Sequence, residues 1–390
     1  MKICDLTQFY SPVSGGVRRY VEQKVAYIRK HRPDWQHVLV IPGAENTCTG
    51  DEQARVYTIA SPLVNRTSRY RILFKLQAVE DILEREKPDI IESGDPYQLA
   101  WKAVASGEGL GIPVVGFYHS HFPEAYIRSV AKYFGRTALS VAEDLSMRYV
   151  RSLYNHFART MVPSPILADL LRSWGVEGVE SIDLGVDVDV FKPSDTPPDA
   201  IRRELGIPEG RKLLLYVGRL ASEKNVSTLF DAFKLLHERH PGEYHLLTMG
   251  DGTLRPSLLR LQEETGAVTW QQYCQDSEKL AEIYRAADVF VHPGIQETFG
   301  LVTLESQACG TPVIGIRGSY MDRIIFSHQE HWARENTPAS LATAIASKFT
   351  EDLRAMGLAA SEAARLRYSW KTVFDRLFGI YGDVIDKFET

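Results

Sequence analysis

Apolar runs of strand length alternate with segments of helical period along this chain, and that alternation is the pattern of parallel sheets wound with crossover helices. One series of runs comprises Lys2–Leu6, His37–Ile41, Asp89–Glu92, Pro113–Tyr118 and Thr160–Val162. A second comprises Lys212–Val217, Tyr244–Thr248, Val268–Trp270, Val289–His292 and Pro312–Gly315. With 390 residues the chain exceeds what one hydrophobic core usually supports, so two domains are expected. The expected architecture is α/β, with two Rossmann-like, doubly wound parallel-sheet domains.

Asp183 to Pro193 and Ser194 to Pro198 gather Gly, Pro and Asp in the manner of a connection, which sets the first domain at 1–187 and the second at 194–368. The last stretch, 369–390, carries Trp370, Val373, Phe374, Leu377, Phe378, Tyr381, Val384, Ile385 and Phe388 in a stripe that needs a partner surface. It either crosses back onto the first domain or packs on the second, because sequence fixes the face and not the partner.

A net charge of -5 argues against nucleic acid as a partner, since duplex binding rests on neutralising many phosphates. Asp5 interrupts the first apolar run too early for a secretion signal, and no window approaches the roughly 20 apolar residues of a spanning helix. Cys4, Cys48, Cys274 and Cys309 are scattered without metal spacing, so a reducing cytoplasm is the expected location.

Ligands of doubly wound sheets bind beyond the carboxyl ends of strands, so the loops that follow strands carry the chemistry. Between Gly294 and Gly310, Glu297 and Glu305 flank a Phe299-Gly300 turn that opens a helix. At about 1.5 Å per residue Glu305 lies roughly 9 Å along that helix, too far to pair with Glu297 as acid and base. The two suit the ends of an elongated ligand, with the free N–H groups of Gly300 and Leu301 facing an anion between them. A nucleotide diphosphate sugar has that layout. The plain alternative is a loop carboxylate and a helix-surface carboxylate, ordinary in any protein.

Three further loops qualify. Gly15 and Gly16 precede a helix starting near Val17, an arrangement that fits a phosphate and also fits an ordinary turn. Arg219 and Lys224 follow a strand and supply a guanidinium fork and a point charge to a diphosphate, or are simply solvated. His119 ends the Val114–Phe117 strand within reach of a sugar hydroxyl. His121, two residues on, lacks a convincing third ligand for a metal and is expected to be structural.

Taken in order, Gly15-Gly16, His119, Gly218-Arg219 with Glu223-Lys224-Asn225, and Glu297-Thr-Phe-Gly through Glu305 to Ile314 resemble the retaining glycosyltransferases of family four. The resemblance implies the GT-B fold, in which the two domains face each other across a cleft. It implies that Gly16 approaches the donor diphosphate, that Arg219 and Lys224 clamp it, and that Glu297 holds hydroxyls of the donor sugar. It further implies that Glu305 holds the ribose, that His119 sits beside the transferred sugar, and that backbone donors around Phe299, Gly300 and Leu301 complete the phosphate site. The implied reaction moves a hexose from a UDP- or GDP-sugar with retention of configuration, by front-face displacement, and needs no metal or other cofactor. Asp187 matches a linker aspartate of the family and suits a turn.

Three departures stand out against that family pattern. Gly318 to Asp322 replaces a glycine-rich turn that forms the far wall of the donor pocket, Val268 to Asp276 lacks a customary glycine near the nucleobase, and Leu184 replaces an Asn in the linker. Acceptor choice belongs to the first domain. Arg128, Lys132, Arg136, Arg148, Arg151 and Arg159 are interleaved with aromatic and aliphatic residues, and 65–75 adds four more cations. Such surface either docks on anionic lipid, in keeping with a lipid-linked acceptor and a peripheral membrane location, or is the solvated face of helices. Competing readings are a non-catalytic nucleotide-sugar-binding scaffold and a GT-B-like sugar epimerase or phosphorylase.

Overall fold

The structure, a computed structural model, describes residues 1–8, 10, 16–64, 70–119, 140–295, 297, 299–319, 321, 323–327 and 329–389. The chain divides into two compact units, Met1–Leu184 with Val373–Thr390, and Gly185–Thr372.

The first unit holds β1 (Lys2–Leu6), β2 (Gln36–Gly43), β3 (Thr47–Gly50), β4 (Ala54–Ala60), β5 (Ile90–Ser93), β6 (Val114–Phe117), β7 (Arg159–Val162) and β8 (Val179–Ser181), with sheet order β3-β4-β2-β1-β5-β6-β7-β8. All its strand pairs are parallel except β3 with β4. Helices α1 (Gly16–His31), α2 (Leu76–Glu86), α3 (Gln98–Leu110), α4 (140–154) and α5 (Pro165–Ser173) belong to this unit. Leaving β1, the chain builds outward to β2 on one side and later returns to β5 on the other. The crevice beyond the carboxyl ends of β1 and β5 is therefore a topological switch point.

The second unit repeats the plan with β9 (Lys212–Val217), β10 (Tyr244–Met249), β11 (Val268–Gln271), β12 (Val289–Val291) and β13 (Val313–Ile314), all parallel in the order β11-β10-β9-β12-β13. Its switch point lies between β9 and β12. Helices α6 (Asp199–Glu204), α7 (Val226–Arg239), α8 (Arg255–Thr265), α9 (Ser277–Ala286), α10 (Leu301–Ala308), α11 (Pro338–Lys348) and α12 (Leu353–Tyr368) surround it. Helix starts follow local chemistry. Asp276 accepts from the amides of Glu278 and Lys279 ahead of α9, and Thr337 accepts from Ser340 ahead of Pro338 in α11. Each such cap is worth about 1 kcal/mol against alanine. Asp187 makes the turn expected of it, accepting from the amide of Asp189 at 3.1 Å.

The final helix, α13 (Trp370–Glu389), begins in the second unit and from Val373 onward is part of the first. Of the two partners open to its stripe it takes the first. Phe374 packs on Tyr27 at 5.5 Å, Phe378 meets the edge of Trp35 at 5.2 Å, and Tyr27 donates to Asp375. Burying each such side chain stabilises by about 1.5–3 kcal/mol before conformational costs. Among the described residues no helix is long and apolar enough to cross a membrane.

Candidate active site

In the second unit, the loops after β9 and β12 lie side by side at the switch point, and charged groups meet there. The β9 loop turns through a short 3-10 segment, Ser222–Lys224, and Asn225 sits in the left-handed region at φ 56°. The Asn225 side chain fixes that turn, donating to the carbonyl of Pro293 at 2.8 Å and to Asn336 at 2.7 Å while accepting from Thr228. Lys224 is thereby aimed at Glu297, with Nζ 2.6 Å from Oε2 and 2.9 Å from Oε1. An ammonium has three donors, and this geometry engages two of them. Burial pushes the Glu297 carboxyl up, but Lys224, His292 and Arg219 together hold it below the usual carboxylate range.

His292 follows β12 and is buried, with Nε2 3.9 Å from Glu297 Oε2, and burial pushes its imidazole below the ordinary value. It was not singled out from sequence. Its only signal was its place at a strand end, shared with His119. Arg219 is mostly exposed and pairs with Glu223 at 3.2 Å, while Tyr216 donates to the Arg219 carbonyl at 3.0 Å. The loops after β9 and β10 touch so closely that a Cβ on Gly250 would stand 2.0 Å from the Gly218 carbonyl oxygen.

Gly300 caps α10 at φ 86°, and a Cβ there would stand 2.3 Å from Met321 Cε. This turn delivers the amide of Leu301 at the start of the helix, one residue pair later than a start near Phe299 would. Phe299 is buried, with the Arg323 guanidinium 5.3 Å above its ring. Glu305, one turn into α10, is 2% exposed and accepts from Tyr284 at 3.0 Å. It is not the surface carboxylate that the plain alternative supposed. Gln307 of α10 ties down the segment that follows β13, donating to the Ile324 carbonyl at 2.8 Å and accepting from the Phe326 amide at 2.7 Å. Near β11, Trp270 donates to the Gly250 carbonyl at 2.7 Å and carries the Arg255 guanidinium over its ring at 5.1 Å.

In the first unit, Gly16 opens α1 and is exposed, and nothing lies within 4 Å of where its Cβ would be. His119 follows β6 with its ring stacked on Phe117 at 4.2 Å and met by the edge of Tyr20 at 4.9 Å. Burial, with Lys24 adding to it, pushes its imidazole down to about 3, so at neutral pH the ring is uncharged and offers one donor and one acceptor. Asp95, beyond β5, accepts from the Gln8 amide at 2.8 Å, and burial pushes its carboxyl up to about 6. Gly15, His121, Arg66, Arg69, Arg128, Lys132 and Arg136 lie outside the described residues. Of the cations interleaved along 128–159, Arg148 is exposed, and Val150, Leu153 and Tyr154 of α4 face the core.

Two family profiles, overlapping at the β9 loop, together span most of the chain. The profile of Glycosyltransferase Family 4 matches residues 14–241, and that of Glycosyl transferases group 1 matches residues 198–366. The chain belongs to Glycosyltransferase Family 4. It is a glycosyltransferase, and its relatives carry that activity in their names. A GDP-mannose-dependent alpha-mannosyltransferase of Corynebacterium glutamicum is 29% identical over 81% of this chain and 72% of its own length. A GDP-mannose-dependent alpha-mannosyltransferase of Mycobacterium tuberculosis is 27% identical over 98% of this chain and 96% of its own. Among solved structures, sucrose-phosphate synthase from Thermosynechococcus elongatus superposes with a TM-score of 0.78 at 20% identity, covering 99% of both chains. Anabaena HepE in complex with UDP and glucose superposes with a TM-score of 0.73 at 17% identity, covering 98% of this chain and 100% of its own. The fold of this family 4 enzyme is GT-B.

Proposed function

We propose that this glycosyltransferase moves mannose from GDP-mannose to a glycan, a lipid-linked or a small-molecule acceptor with retention of configuration and without a metal. The Lys224–Glu297 pair carries the reading, because it sets a cation for phosphate directly against an anion for sugar hydroxyls. That juxtaposition suits the junction between a β-phosphate and the sugar it bears. The names of the mannosyltransferase relatives favour GDP-mannose over a UDP-sugar as donor.

In this reading the bond from the anomeric carbon to the β-phosphate oxygen breaks while the acceptor oxygen bonds to the same face. The departing phosphate takes the acceptor proton. Negative charge grows on that phosphate, and Arg219, Lys224 and the amides at Gly300 and Leu301 stabilise it, in the way preorganised donors do where charge develops. Glu297 accepts from sugar hydroxyls. Glu305, oriented by Tyr284, holds the ribose. The same reading assigns Gly16 and Phe299 to the diphosphate, and neutral His119 to a hydrogen bond with the transferred sugar. Docking of the enzyme on an anionic membrane belongs to the same proposal, and equal partitioning between buffer and anionic vesicles would remove it.

Glu297→Ala is expected to abolish transfer from GDP-mannose with an unchanged circular dichroism spectrum; near wild-type turnover would remove the residue's role. A thermal-shift panel of GDP, UDP and ADP tests the base, since a nucleotide at 100 times its Kd stabilises by about 2.7 kcal/mol. Stabilisation by UDP and not by GDP would overturn the choice of donor.

A further inference from the structure

Inside the first unit lies a polar cluster that the transfer chemistry does not use. Lys24, on α1, is wholly buried, with Nζ 2.9 Å from Asp5 Oδ1 on β1 and 2.9 Å from Glu92 Oε2 on β5. His37, on β2, reaches the other oxygen of Asp5 at 3.0 Å. Glu92 Oε2 takes two further hydrogen bonds, from Tyr20 Oη at 3.0 Å and from Tyr381 Oη on α13. A single buried carboxylate oxygen thus gathers an ammonium from α1, a phenol from α1 and a phenol contributed by residues far along the chain.

The cluster ends at His119. Tyr20, whose hydroxyl is bound to Glu92, presents its ring to the His119 imidazole at 4.9 Å and 65°. Phe117 closes the opposite constraint by stacking on that imidazole at 4.2 Å. The tilt of His119 therefore depends on Tyr20, and the position of Tyr20 depends on an oxygen that Tyr381 helps to place. Tyr381 is also 3.4 Å from Lys24 Nζ, so its hydroxyl touches both charged partners. A buried network merely holding the sheet together would not need to run to the ring at the end of β6.

We propose that Tyr381 is a positioning residue for His119, acting through Glu92 and Tyr20, so that the last helix sets the orientation of a histidine in the sugar-transfer site. This rests on the role given to His119 above. The hydroxyl of Tyr381 touches no reacting atom. Without that donor the Glu92 carboxylate reorients about its contacts with Lys24 and Tyr20, and the Tyr20 ring turns with it.

The test compares Tyr381→Phe, Tyr20→Phe and the double variant, each assayed for mannose transfer and, after selective labelling of histidine ring carbons, for the His119 resonance. Tyr381→Phe is expected to lower kcat roughly ten- to hundredfold, as small misplacements of catalytic groups do, with the KM for donor within about twofold. The His119 signal should move. The double variant should be no slower than Tyr20→Phe alone, because both changes interrupt one path. Unchanged kcat, a lowered kcat with the His119 signal in place, or losses that multiply in the double variant would each overturn the proposal. If the wild-type enzyme transfers no sugar from any nucleotide donor, the functional reading has failed by itself. The His119 signal then decides the coupling alone: movement in Tyr381→Phe supports it and a fixed signal overturns it.

Discussion

Replacing Lys24 by methionine keeps the length of the side chain and removes its charge, leaving Asp5 and Glu92, each 2% exposed, without the cation between them. Removing one partner of a buried ion pair costs about 3–5 kcal/mol. His37 still reaches Asp5, and two phenols still reach Glu92, so the lower end of that range is expected at pH 7.5. The chain has two units, and a single unfolding free energy is poorly defined for such a protein. Hydrogen exchange of the β1 and β5 amides reads the first unit by itself, and a loss of about 3 kcal/mol accelerates their exchange roughly 150-fold. The pH dependence sharpens the test. Burial pushes the Asp5 carboxyl up, yet Lys24 and His37 bring it down to about 2. A carboxyl lowered on folding contributes stability above its unfolded value, lost in the wild type as pH falls from about 4 toward 2. Without Lys24 that carboxyl rises, so protonation relieves the variant as the solution is acidified. Its deficit should shrink between pH 7.5 and pH 5. A change below about 1 kcal/mol at pH 7.5, or a deficit independent of pH, would refute the assignment of Lys24 as the cation on which both carboxylates depend.

Other outcomes follow from single contacts. Gly300→Ala forces a side chain into the left-handed region and should destabilise the second unit by about 1–2 kcal/mol, seen as roughly 5- to 30-fold faster hydrogen exchange of the β9 and β12 amides. Truncating Met321 should not restore it, since φ and not the flexible methyl is the obstacle. The His119 ring carbons should keep their neutral-imidazole shifts from pH 8 to pH 5. An imidazole lowered to about 3 on folding costs stability as pH falls below the unfolded value near 6.5, so titration of His119 near 6 would contradict its burial. Tyr284→Phe should weaken nucleotide binding more than it lowers kcat, measured by calorimetry with GDP, because its hydroxyl donates to Glu305, the carboxylate assigned to the ribose.

Most of the parallel strands were legible because each is an apolar run bounded by turns, and Lys2–Leu6 and Lys212–Val217 fall on their sequence limits. The hairpin of β3 and β4 was not anticipated. Thr47 to Gly50 is exposed throughout and carries no apolar signal, and Arg55 and Thr58 interrupt Ala54 to Ala60 so that no continuous run marks it. Within the site, Glu297 and Lys224 could be named from their loops, but their contact depends on Asn225 tying one loop to the other across 68 residues of sequence. Periodicity says nothing about such a tie. For the same reason the stripe on the last helix announced that it needed a surface, whereas Tyr381 read as one more apolar position and not as a donor to Glu92.

Residues 373–390 leave the ribosome after every residue of the second unit, although they complete the interior of the first. Until Tyr381, Phe374 and Phe378 arrive, the nascent N-terminal sheet carries Glu92 short of a donor and an apolar groove along α1 open to water. The order of synthesis thus delays the maturation of one Rossmann-like body until translation has passed through the other, and premature termination near residue 370 should expose the half that was made first to proteolysis.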